Sequence, residues 1–257
     1  MNAGPSILSR TAALFSARVG VYCASALIAG VLGIVLQTAV AWSDIYGAEP
    51  GKMDPMTLWR SMSATRQLIA IFGLLFAVWI PILLAARSTC RITMGQISGH
   101  AFSLREILAD MAAFLPAALL YSLVIGFPVM LGACLMFVPG ILLAALFVLV
   151  VPAGVNEPGT IFATLRRGFA LGGKVFGRSL LITVGSIVLI IITLVVRIIG
   201  LDRFIAGPPP LQFSIRIAIS YFPALLVLIL ANICYTLLYL DACKEMSAQP
   251  HPVLPAP

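Results

Sequence analysis

Six long, almost uninterrupted apolar runs dominate this chain, over 19–42, 67–86, 111–132, 133–152, 179–196 and 217–240. Each is close to the roughly 20 residues that a helix needs to cross a hydrocarbon core. Inside lipid the backbone N–H and C=O groups have no water to bond, so a crossing segment must be a helix or part of a closed barrel. Barrel strands would read as segments of about ten residues with alternating polarity. These runs are continuous, so the sequence predicts an all-α polytopic membrane bundle of six transmembrane helices. Composition agrees, with 61% of the 257 residues hydrophobic and 10% charged. A soluble domain averages about 25% charged residues. This chain could not cover a water-facing surface, which excludes a soluble enzyme. The net charge of +7 then points to anionic headgroups, and no nucleic-acid partner is expected.

An even number of spans returns both termini to one side. That side carries Arg10, Arg18, Arg87, Arg91, Arg105, Arg166, Arg167, Lys174, Arg178 and Lys244, against Lys52, Arg60, Arg66, Arg197, Arg203 and Arg216 opposite. The positive-inside bias predicts that both termini are cytoplasmic. Arg10, Arg18 and the triplet Ala39-Val40-Ala41 give the first run a likeness to a secretory leader. A leader core is about 7–15 residues, so this longer run reads as a retained span.

Three stretches on the predicted cytoplasmic side repeat one pattern, near 6–17, 103–110 and 160–171. Each opens with Ser6, Ser103 or Thr160 as N-cap and continues with apolar residues at helical spacing. Ser103-Leu104-Arg105-Glu106 also places a carboxylate early in its helix. Such helices lie in the headgroup plane with cations at the phosphates. The candidate headgroup-binding residues are Arg10, Arg18, Arg105, Arg166, Arg167 and Lys174. The chain then reads as one membrane domain over 1–246, built of three units of an interfacial helix plus two spans. Residues 247–257 hold four prolines and read as a disordered tail.

Sites of chemistry are few. Five scattered cysteines form no C-x-x-C pair, and His100 and His251 are the two histidines. No metal, cofactor or catalytic group is expected. The candidate polar residues are Glu157, Asp110 and Asn232. Glu157 and Asp110 suit the positive ends of helix dipoles, while Asn232, within the last span, calls for a hydrogen bond to another helix. Ser25, Ala29 and Gly33 form a small-residue stripe for close helix contact, and Gly168-x-x-x-Gly172 reads as a hinge. The third and fourth spans must form a tight hairpin around Gly132-Ala133, with Pro139-Gly140 predicting a kink inside the fourth.

Several short motifs place the chain near a known group. Phe102-Ser103-Leu104-Arg105-Glu106, Val138-Pro139-Gly140-Ile141, Val151-Pro152 with Asn156-Glu157, Ala163-Thr164-Leu165-Arg166-Arg167, Leu171-Gly172-Gly173-Lys174 and Tyr235-Thr236-Leu237-Leu238-Tyr239-Leu240-Asp241 stand in that order. The chain resembles the bacterial six-span proteins grouped around the glycerophosphoryl diester phosphodiesterase membrane domain. The resemblance implies a membrane domain that is sometimes fused to a phosphodiesterase, and not the hydrolase itself. The family's usual Ser after the basic pair is Gly168 here, and Ala242-Cys243-Lys244 stands where an Arg would follow the last motif. The expectation is a non-enzymatic protein of a bacterial inner membrane that organises anionic lipids or membrane-protein partners. The alternative is a transporter or permease-like component for a small or amphiphilic solute.

Overall fold

A computed structural model describes residues 6–42, 63–157, 159–196 and 209–247. The tail after Ser247 and the connections 43–62 and 197–208 lie outside the described residues, and so do the cations Lys52, Arg60, Arg197 and Arg203. The described chain is helical throughout, without strands. In chain order the helices are α1 (Ile7–Ala17), α2 (Val19–Trp42), α3 (Ala64–Ser98), α4 (Leu104–Tyr121), α5 (Phe127–Leu135), α6 (Phe137–Phe147), α7 (Val150–Asn156), α8 (Ile161–Lys174), α9 (Phe176–Val196) and α10 (Pro209–Ser247), with a π-turn over Ser122–Gly126 between α4 and α5. Six segments are long and apolar enough to span a membrane: Val19–Ala39, Ala64–Ser98, Leu104–Leu135, Phe137–Asn156, Phe176–Val196 and Pro223–Glu245. They match the six predicted runs one for one. The chain is an integral, multi-pass membrane protein.

Local chemistry sets the helix ends. Ser6, Ser63, Ser103 and Thr160 each accept the N–H three residues on, which satisfies one of the free donors of a helix start. Ser103 and Glu106 complete a capping box, because Glu106 stands at the third helical position and takes the Ser103 N–H at 2.7 Å. The stretch 103–110 is not set off from its span, since α4 continues unbroken to Tyr121. By contrast α1 and α8 are separate helices, closed by Arg18 and Val175. Gly99 ends α3 at φ 75°, a left-handed position that a side chain would strain. With 35 residues, α3 is about 52 Å long, which exceeds a hydrocarbon core of about 30 Å. Its C-terminal turns therefore project beyond the core.

The middle hairpin differs from its predicted form. The turn is at Met136, between α5 and α6, and not at Gly132-Ala133. Pro139 falls in the first turn of α6, where its missing N–H would be unpaired in any case, so it causes no kink. Interruptions occur instead ahead of Pro128 and Pro152. Each proline ring crowds the carbonyl four residues back, and the chain responds with the π-turn in one case and the break at Val148–Leu149 in the other.

Glycines let the helices approach closely. A Cβ on Gly140 would lie 2.7 Å from the Ala133 nitrogen across the hairpin, and one on Gly168 would lie 2.5 Å from the Val150 Cα. Gly172 likewise faces the Leu146 carbonyl. Gly168 and Gly172 are therefore the seam of α8 against α6 and α7, and not a hinge. The stripe Ser25, Ala29 and Gly33 on α2 is buried as predicted. Helix α10 packs against α1, α2, α3 and α9. Its residues Ile229, Ile233 and Leu237 join the main core, and Leu238 and Tyr239 join a second cluster with Leu149, Leu171 and Val175.

Candidate functional site

The C-terminal half of α10 carries polar side chains that bond several of the neighbouring helices. Cys234 Sγ lies 3.3 Å from Thr11 Oγ1 on α1. Tyr235 Oη is 2.9 Å from Thr183 Oγ1 on α9. Thr236 Oγ1 donates to Cys90 Sγ on α3 at 3.1 Å. Tyr239 Oη accepts from Asn156 Nδ2 at the end of α7 at 3.2 Å and donates to Glu157 at 3.5 Å. Asp241 receives Arg10 of α1, with Nη1 at 3.0 Å. Four elements, α1, α3, α7 and α9, are thus tied to one stretch of helix. The motif Tyr235 to Asp241 is a structural hub, and its tyrosines escaped the sequence reading because they counted as apolar.

Asn232 is also buried on α10, but its Nδ2 donates to Leu228 O of the same helix at 2.8 Å, and among the described residues no bond to a second helix, the partner expected of it, is found.

Asp110 is placed on the second turn of α4 and faces α3. Arg87 Nε donates to it at 2.8 Å, Arg87 Nη2 at 3.0 Å, and Arg91 Nη1 completes the group. The Asp110 side chain is 9% exposed, so charge pairing replaces the helix-dipole role read from the sequence. Removing Asp110 would leave two part-buried guanidinium groups without their shared counter-ion, a loss of about 3–5 kcal/mol for a buried pair. The guanidinium groups also lie over rings, Arg87 4.5 Å from the Phe114 centroid and Arg91 4.9 Å from that of Phe102. Glu157 caps the end of α7 and pairs with Arg167 of α8, and both are exposed. The structure does not bring Asp110, Glu157 and Asn232 together into one site.

These pairs leave an asymmetric charge surface at the end of the bundle where α1, α8 and the C-terminus of α10 lie, here called the basic end. Asp110, Glu157, Asp241 and Glu245 are each engaged by arginine. Arg18 donates to the Phe102 carbonyl at 3.4 Å. Among the described residues, Arg105, Arg166 and Lys174 make no ion pair and are exposed. Of the six predicted headgroup cations, Arg10 and Arg167 are therefore committed to carboxylates and Arg18 to a carbonyl, while three remain open.

Helix α8 concentrates this surface. Thr164, Leu165, Gly168, Leu171 and Gly172 form its buried stripe. Phe162, 79% exposed, and Phe169 lie seven residues apart on the outer face with Arg166 between them. Among the described residues no group of His, Cys, Asp or Glu is arranged to hold a metal ion. Between α2 and α10, a crevice lined by Cys23, Ala26, Leu27, Leu225, Leu226 and Ile229 is apolar. Compared with known proteins, the chain matches no family model, no curated protein and no solved structure.

Proposed function

We propose that this integral membrane protein is non-enzymatic and organises anionic lipid at its basic end, with α8 as the principal contact. The observation that carries this reading is an open cation between two exposed rings on one helix face, Arg166 between Phe162 and Phe169, with Lys174 exposed at the end of the same helix. An interfacial helix gains from apolar insertion and from cation–phosphate attraction together. The resemblance to the glycerophosphoryl diester phosphodiesterase membrane domain belongs to the same proposal, as does placement in a bacterial inner membrane with the basic end cytoplasmic. The cation excess on that side supports the orientation.

The test compares the native chain with a variant carrying Arg105→Gln, Arg166→Gln and Lys174→Gln in nanodiscs of mixed anionic and zwitterionic lipid. Each cation near an anionic surface contributes about 1 kcal/mol. The preference for anionic lipid, read by mass spectrometry of retained lipid, should fall by more than about tenfold. An unchanged preference would overturn the reading.

A further inference from the structure

We propose that the tip of the α5–α6 hairpin, Leu135 to Val138, ends within the lipid boundary of the leaflet opposite the basic end and does not emerge as a loop in water. Residues 111–155 contain no charged residue and no Asn, Gln or His, and the turn falls inside that run. The other two connections on this side carry Asp44, Glu49, Lys52, Asp54 and Arg60, and Arg197, Asp202 and Arg203. Those are sequences for water; the middle one is not.

Length leads to the same depth. The limb from Phe137 to Asn156 has 20 residues, which with its break at Val148–Leu149 reaches at most about 30 Å at helical rise, no more than the thickness of the hydrocarbon core. Its lower end is held at the basic boundary, where Asn156 bonds Tyr239 and Glu157 pairs with Arg167. Phe137 then falls at the far edge of the core with no length left to protrude. The turn can be this short because Gly132 and Gly140 let the two limbs meet backbone to backbone.

The side chains and backbone of the tip ask for that boundary. Leu135, Met136, Phe137 and Val138 are 57–73% exposed within the chain, and acyl chains are the cover that four such neighbours require. The backbone demand is small but real. Met136 N–H reaches Gly132 O at 3.0 Å, Pro139 has no N–H, and the start of α6 has no side-chain cap. Unpaired amides cost several kcal/mol at the bilayer midplane. At the hydrocarbon edge water and headgroups reach them while the side chains remain in lipid.

The experiment uses the full chain in membranes, with a sulfonated, impermeant maleimide on both faces and labelling read residue by residue by mass spectrometry. Met136→Cys is compared with Ala48→Cys in the charged first connection, and native Cys134 serves as a second tip reporter. Ala48→Cys should label readily, while Met136→Cys and Cys134 should label at least about tenfold more slowly until detergent is added. Equal rates in membranes would overturn the proposal. A phospholipid with a photoactivatable acyl chain should also leave adducts on 135–138. Slow labelling without lipid adducts there would mean that protein covers the tip, and would equally overturn it.

Discussion

Helices α9 and α10 are consecutive and packed together, and both are apolar enough to span a membrane, yet they occupy opposite places in the bundle. By mean hydropathy α9 is the more apolar of the two, yet 11% of the residues in its span are buried, against 61% in that of α10. The more apolar helix is the outer one. In water the order would be reversed, because burial there rewards apolar surface. In lipid the tails are as apolar as leucine, and helices are held together by close packing and by hydrogen bonds. Tyr235, Thr236 and Tyr239, which bond other helices, and the buried Asn232, from which they stand three, four and seven residues away, therefore mark the inner face of α10.

This contrast can be broken by three substitutions, each measured as a change in unfolding free energy of the purified protein. Leu238→Ala removes a side chain with no exposure on α10 and should cost about 2–5 kcal/mol through the cavity it leaves. Tyr235→Phe removes the hydroxyl that bonds Thr183 on α9 and should cost about 0.6 kcal/mol, the average for such bonds in membrane proteins. Leu181→Ala, on the outer face of α9 where Leu181 is 75% exposed, should stay within about 0.5 kcal/mol of the native chain. A large loss at Leu181 or a negligible one at Leu238 would reverse the assignment of inner and outer helix.

The six spans were legible because continuous apolar runs of helical length leave lipid-embedded backbone few alternatives. The N-caps Ser6, Ser103 and Thr160 were legible for a local reason, since a cap and the N–H it accepts are three residues apart. Partners distant in sequence were not. Asp110 lies 19 residues from Arg91 and 23 from Arg87, so its charge was assigned to the nearest helix dipole rather than to α3. Gly168 and Gly172 looked like freedom to bend, and only the packing of α8 on Val150 and Leu146 identifies them as points of contact. Within α8, Leu165 and Phe169 stand four residues apart, yet the buried stripe takes Leu165 and leaves Phe169 about half exposed. Amphipathic spacing does not tell which of two apolar edges meets protein and which meets lipid.

The π-turn over Ser122–Gly126 sets the phase of everything that follows it. Each residue of an α-helix advances the side chains by about 100°, so one extra residue in a wide turn rotates α5 by that angle relative to α4. On the near side of the turn, Phe114, Ala118 and Tyr121 are aimed at the core; its last residue, Gly126, is set against the Trp79 ring, and beyond it Gly132 meets Gly140. A straight helix with the same residues could hold one of these alignments but not both. The wide turn acts as a coupling between two shafts, transmitting length while resetting angle.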